Sequence, residues 1–126
     1  MQCDKNQSTD PLRGSFTYFY SGFDSAQVKI VSGSLFLNFE DSSLVSGEWE
    51  LQKIGNPPEI GPQTGRGELE GVIDGNRLML DLNPRYRDNN VFLNGVLSGD
   101  SYSGEWIYSG FPGILNSGTF IAIRKK

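Results

Sequence analysis

Carboxylates are the residues of this sequence best suited to chemistry, and five of them occupy alternate positions beside apolar residues: Glu48, Glu50, Glu68, Glu70 and Glu105. A hydrolase with paired carboxylates needs two of them close together and facing the substrate. In a strand, successive side chains point to opposite faces, so apolar residues on the inner face leave these carboxylates in solvent. The pattern therefore argues against a paired-carboxylate hydrolase.

The sequence also lacks the residues that nucleophilic catalysis and metal binding usually require. The sequence contains no His and one Cys, Cys3. Without His there is no Ser-His-Asp or Cys-His catalysis, and the commonest metal ligand is missing. A single Cys forms neither a zinc site nor an intrachain disulfide. The net charge of −4 argues against a nucleic-acid partner, which requires basic residues. We therefore expect no enzyme, no metal and no cofactor.

The elements that position these residues are predicted to be strands, because apolar and polar residues alternate along the chain and helical periodicity is nearly absent. The predicted strands are 13–20, 33–40, 44–53, 65–73, 76–82, 91–98, 102–108 and 118–125. The segment 24–31 is the one place where a helical turn is allowed.

The predicted connections alternate between short and long. Tight turns are expected at 41–43, 74–75 and 99–101, and longer connections at 21–32, 54–64, 83–90 and 109–117. In an up-and-down sheet, one end then carries tight turns and the other carries all the long loops. Closing the sheet removes its exposed edges. We predict an all-β fold, a single antiparallel up-and-down barrel of about eight strands over residues 13–126, after a flexible polar tether at 1–12.

Trp49 and Trp106 end identical Ser-Gly-Glu-Trp tetrapeptides, each on the second strand of a short hairpin. We interpret the repeat as one structural solution used twice. The two rings either line a cavity or fill it as ordinary core. Glycines on the same faces favour some free volume, because Gly has no side chain. The predicted ligand-binding wall is Trp49, Leu51, Leu69, Leu80, Trp106, Tyr108 and Phe120.

The rim of this cavity is predicted at the long-loop end, from Phe23, Arg85, Tyr86, Phe111 and Ile114. The segment 111–115 is apolar where loops are usually polar. It is either a lid or contact surface, or a loop that folds over the barrel end and is buried. Residues 85–87 either meet an anionic head group or simply stay solvated.

The first and last strands carry a pattern that resembles the calycin superfamily, and the lipocalins in particular. Lipocalins begin the barrel with Gly-x-Trp and place a cation late in the last strand, packed across that Trp at the closed end. Here Gly14 and Phe16 stand at the first position and Arg124 at the second. The resemblance implies contact between Phe16 and Arg124, and a barrel that binds a small apolar or amphipathic molecule.

Cys3 precedes a polar run at 4–10, which resembles the start of a mature bacterial lipoprotein. There the thiol carries lipid; the alternative is an ordinary free thiol in a frayed terminus. The resemblance implies a monomer anchored by lipid at the extracellular face of the cell membrane.

Two functions from different classes follow. The first is a lipocalin-like binding protein for a small apolar or amphipathic ligand at the cell envelope. The alternative is a structural or interaction protein of the envelope, with a filled barrel and partner-binding loops.

Overall fold

The computed structural model describes residues 13–40, 43–57, 60–86 and 89–126. The predicted tether with Cys3, and Arg87, lie outside the described residues. Eight strands follow one another in chain order: β1 (Gly14–Phe23), β2 (Lys29–Phe39), β3 (Leu44–Lys53), β4 (Gly65–Asp74), β5 (Arg77–Asp81), β6 (Asn90–Ser98), β7 (Ser101–Gly110) and β8 (Gly113–Arg124).

The strands form one closed antiparallel barrel. Each strand pairs with its neighbours in sequence, and β1 closes the sheet by pairing with β8. This confirms the predicted all-β, up-and-down, eight-stranded fold. Closure leaves most of the sheet without an edge.

The inward and outward faces follow the predicted alternation. On β3, Val45, Trp49 and Leu51 are buried, whereas Glu48 and Glu50 are exposed. Glu68, Glu70 and Glu105 are exposed in the same way. The carboxylates therefore point away from the barrel interior, as expected.

The first predicted long connection is wrong. β1 continues to Phe23 and β2 already begins at Lys29, so no helical turn forms between them. The Asp24 carboxylate accepts hydrogen bonds from the backbone N–H groups of Ala26 (2.8 Å) and Val28 (3.0 Å). Such a side-chain cap closes a tight turn, and the apolar residues that follow enter the sheet.

The fourth predicted long connection is also wrong. The Gly- and Ser-rich segment 109–117 lies mostly within β7 and β8, and the turn between them is only Phe111 and Pro112. Composition suggested a loop, but ladder hydrogen bonds come from the backbone and do not depend on the side chain. Only the connections 54–64 and 82–89 remain long.

The β4–β5 turn lies one residue later than predicted, at 75–76. Asp74 pairs with Arg77, and Gly75 supplies the positive φ of 64° that the turn requires.

The short-turn end is closed as the lipocalin resemblance implied. The Arg124 guanidinium lies over the Phe16 ring, 4.8 Å from its centroid, and Phe39 packs beside that ring. Asp100 holds Arg124 at 2.8 Å and Lys126 at 2.7 Å. These contacts join the last strand to the first strand and to the β6–β7 turn.

We expect the contribution of Asp100 to stability to depend on pH. The hydrogen-bonded Lys126 ammonium, with Arg124 beside it, holds the pKa of Asp100 below its usual 3.8. A lowered folded-state pKa gives stability that is present above 3.8 and lost as the pH falls through the folded value. Asp100→Asn should therefore lower the urea midpoint at pH 7, and the difference from the unchanged protein should shrink as the pH falls below 3.8 and through the folded-state pKa. A midpoint difference that persists at low pH would show that charge is not the cause.

Candidate functional site

The predicted wall residues do converge on the interior of the barrel. Six of them are buried: Trp49, Leu51, Leu69, Leu80, Trp106 and Phe120. The seventh, Tyr108, is half-buried. Together with the remaining inward Leu, Val and Tyr side chains they form one hydrophobic cluster.

The glycines on these faces do not leave free volume, contrary to expectation. A Cβ built on Gly67 would lie 2.9 Å from the Trp49 ring, and one on Gly118 would lie 2.6 Å from the Trp106 ring. Each Trp ring therefore occupies the space above a glycine on the adjacent strand. The missing side chains make room for the indoles, which fill it.

Both indoles are also anchored by their N–H groups. Trp49 donates to the backbone carbonyl of Leu82 at 2.7 Å, and Trp106 donates to that of Phe23 at 2.9 Å. Each acceptor lies where a strand ends. In both copies of the tetrapeptide, the Trp ring lies over a glycine of the adjacent strand and the indole N–H donates to a carbonyl at the end of a strand. The repeat therefore has a structural role.

Three tyrosines complete the interior. The Phe120 ring stacks on Tyr20 (5.6 Å between centroids) and meets Tyr102 edge-on (4.8 Å). Burial raises the pKa of Tyr20, of Tyr102 and of Tyr18. Each phenol therefore stays protonated at neutral pH. The Tyr20 hydroxyl donates to the Gln63 amide oxygen and the Tyr102 hydroxyl donates to the Leu78 carbonyl, whereas the buried Tyr18 hydroxyl has no hydrogen-bond partner among the described residues.

The long-loop end is closed by two residues that the sequence analysis missed, Ile60 and Gln63, here called the mouth plug. Both are buried although they belong to the β3–β4 connection. The Gln63 amide oxygen accepts from the Tyr20 hydroxyl at 3.2 Å, and its nitrogen donates to the Ile60 carbonyl at 2.8 Å. The only signal in the sequence was an apolar residue among prolines and glycines.

Several cavities open on the outer surface of the barrel. Four of them lie along β2 to β6 and the neighbouring 82–86 segment. The largest of the four measures about 490 Å³ and is lined by Leu44, Val72 and Met79 among others. Of the predicted wall, Trp49 and Leu69 line these outer cavities, and the other five residues line none of the four. Ligand binding among the wall residues stays a prediction.

The predicted rim residues lie apart from the interior. Phe111 is 89% exposed and Ile114 is 70% exposed, at the tip of the β7–β8 hairpin, so burial of this segment over the barrel end is wrong. Tyr86 is exposed, and Arg85 lies 3.5 Å from Glu68. Phe23 is half-buried, and its carbonyl holds Trp106.

Comparison with known proteins identifies no relative: no family model, no curated protein and no solved structure matches the chain. Its class is that of an eight-stranded up-and-down β-barrel, which is compatible with a calycin-like fold. Across the described ranges, no helix is long and apolar enough to cross a membrane. Within the same ranges, no group of three or more acidic, His or Cys side chains could hold a metal ion.

Proposed function

We propose that this protein is an interaction protein of the cell envelope, anchored as a monomer through a lipid on Cys3. Its calycin-like barrel is filled, and it binds a partner polypeptide through the tip of the β7–β8 hairpin (Phe111, Ile114 and Leu115, here called the hairpin tip). The proposal involves binding and no reaction. It is supported by the outward carboxylates and by the protonated state of the interior tyrosines.

The single observation that carries the proposal is the exposure of the hairpin tip. Phe111 is 89% and Ile114 is 70% exposed, and residues 107–123 contain no Asp, Glu, Lys or Arg. Exposed contiguous apolar side chains mark interaction sites in soluble domains. Charged side chains usually keep such a surface from associating with other chains, and this segment contains none.

The backbone beside the hairpin tip favours an extended polypeptide as the partner. The last pair between β8 and β1 is Thr119 with Phe23, so β8 runs on from there to Gly113 with β7 as its only described neighbour strand. An edge of this kind accepts an additional strand through backbone hydrogen bonds. Exposed apolar side chains next to the edge would then select a partner strand that is itself apolar.

The two ends of the barrel have different roles in this proposal. β1 begins at the short-turn end, where Arg124 also lies, whereas the hairpin tip is at the other end. A lipid on Cys3 would hold the short-turn end toward the membrane. The hairpin tip would then point away from the membrane and meet partners arriving from outside.

A photo-crosslinking residue tests this proposal in the cells that make the protein. We expect p-benzoylphenylalanine in place of Phe111 to give a single discrete crosslinked product, because the tip is covered by one partner. The same residue in place of the exposed Ser103 on β7 is the control and should give none. Adding Ile114→Lys should abolish the product while the protein stays folded, since Ile114 is largely exposed. Equal crosslinking from positions 111 and 103 would refute the proposal.

The second candidate is binding of a small apolar or amphipathic ligand within the barrel, as in lipocalins. The observation that favours it is the mouth plug: Ile60 and Gln63 belong to a connection, which can move without breaking the sheet. A neutral naphthylamine fluorophore distinguishes the two candidates. Interior binding would quench Trp emission and survive Phe111→Ser, whereas binding at the hairpin tip would be lost in that variant.

A further inference from the structure

An apolar row crosses the outer wall of the barrel at the short-turn end. Leu44 pairs directly with Val72, and Val72 pairs directly with Met79, on β3, β4 and β5. Their exposed fractions are 59%, 47% and 46%. They line the cavity of about 490 Å³, here called the outer groove. Three adjacent apolar side chains along a groove form a surface suited to binding a partner.

Carboxylates form one side of this groove. In the next outward row, Glu70 stands directly opposite Asp81, and both line the groove. Among the described ion pairs, none involves either of them. Asp81 accepts a hydrogen bond from the backbone N–H of Asn83 at 2.9 Å, which an Asn side chain at this position can also accept. Like charges directly opposite each other destabilise a sheet. This wall therefore keeps an unfavourable charge pair beside an exposed apolar row.

We propose that the outer groove binds a cationic amphipathic polypeptide segment. Apolar side chains of the segment would pack on Leu44, Val72 and Met79, and a Lys or Arg beside them would lie between Glu70 and Asp81. Charge complementarity selects this partner, because a cation at that point attracts both carboxylates and offsets their mutual repulsion. An anionic segment would add to the negative charge of Glu40, Glu70 and Asp81, which all line the groove. The surface lies at the opposite end of the barrel from the hairpin tip and is independent of the function proposed there.

A synthetic peptide tests the inference. The probe is a capped, fluorescein-labelled amphipathic peptide of about 14 Leu and Lys residues, titrated with the full chain and followed by anisotropy. We expect the double variant Glu70→Gln/Asp81→Asn to bind about tenfold more weakly, since two charge contacts are lost. The same variant should unfold at a higher urea concentration than the unchanged protein, because the repulsion is gone. Weaker binding by a more stable protein cannot result from unfolding.

Three controls separate the outer groove from general attraction to an acidic protein. Glu105→Gln removes an exposed carboxylate from β7, away from the groove, and should change affinity by less than about twofold. Met79→Ser should weaken binding through the apolar row. A peptide with Glu in place of Lys should not bind. The inference is overturned if the unchanged protein does not bind the Lys peptide, or if Glu105→Gln weakens binding as much as the double variant.

Discussion

Trp106→Ala is expected to lower the free energy of unfolding by about 3–5 kcal/mol, as large-to-small changes of fully buried aromatic residues do. The Trp106 side chain has no exposed surface. It fills the space above Gly118, and its N–H satisfies the carbonyl of Phe23. Truncation would leave a cavity and also remove the donor from that carbonyl. Since domains usually have a free energy of unfolding of about 5–15 kcal/mol, the loss expected for Trp106→Ala is a large fraction of it.

The measurement is urea unfolding followed by far-ultraviolet circular dichroism, since the substitution itself alters Trp fluorescence. Trp106→Phe keeps most of the ring but removes the N–H donor, so its loss should be smaller than that of Trp106→Ala. Ile121→Ala, on the outer face of β8 and 40% exposed, is the control and should cost about 1 kcal/mol or less. A loss of similar size in Ile121→Ala and Trp106→Ala would contradict the account of Trp106 as packed core.

Gly104→Ala is expected to cost about 2–3 kcal/mol or more, although it adds a single methyl group. A Cβ at this position would overlap the carbonyl oxygen of Asn94 on β6 and lie 2.5 Å from the Cα of Gly95. These are backbone atoms of the paired strand, so they cannot move aside without disturbing the β6–β7 ladder. Gly47, the equivalent glycine of the other tetrapeptide, faces the carbonyl of Phe36 in the same way.

Ser103→Ala provides the matched control, because it alters the neighbouring exposed residue of the same strand. It should change the free energy of unfolding by about 0.5 kcal/mol or less. Gly47→Ala should behave like Gly104→Ala. If both glycine variants unfolded at the same urea concentration as the unchanged protein, the strand contact would not be as close as the structure has it.

The close packing of the two indoles against glycines bears on the function of this barrel. A barrel of eight strands has an interior that either accommodates a small ligand or is filled by side chains. Here the two indole rings lie in the space that side chains at Gly67 and Gly118 would take, and the mouth plug closes the long-loop end. The hairpin tip and the outer groove are the two surfaces proposed for recognition, and a separate experiment tests each of them.

The sequence alone determined the strands and their faces. Period-2 alternation located all eight strands, and for β3 it predicted both bounds, Leu44 and Lys53. It also predicted which side of the sheet Trp49 and the carboxylates face. The lipocalin resemblance, and not the alternation, predicted the contact between Arg124 and Phe16. The strands and their faces depend on local pattern, since the side-chain period of a strand fixes its faces wherever it pairs.

Only the tertiary structure decided how the interior is filled and which surfaces remain open. Whether Gly118 leaves space depends on Trp106 of the adjacent strand, and that contact exists only in one register of the closed sheet. Ile60 and Gln63 become core because the loop that carries them folds over the mouth. The apolar segment after Gly110 stays exposed, and β8 there extends past the last residue of β1 that pairs with it, Phe23. Each of these outcomes depends on residues far apart in the chain, so no local pattern could have specified it.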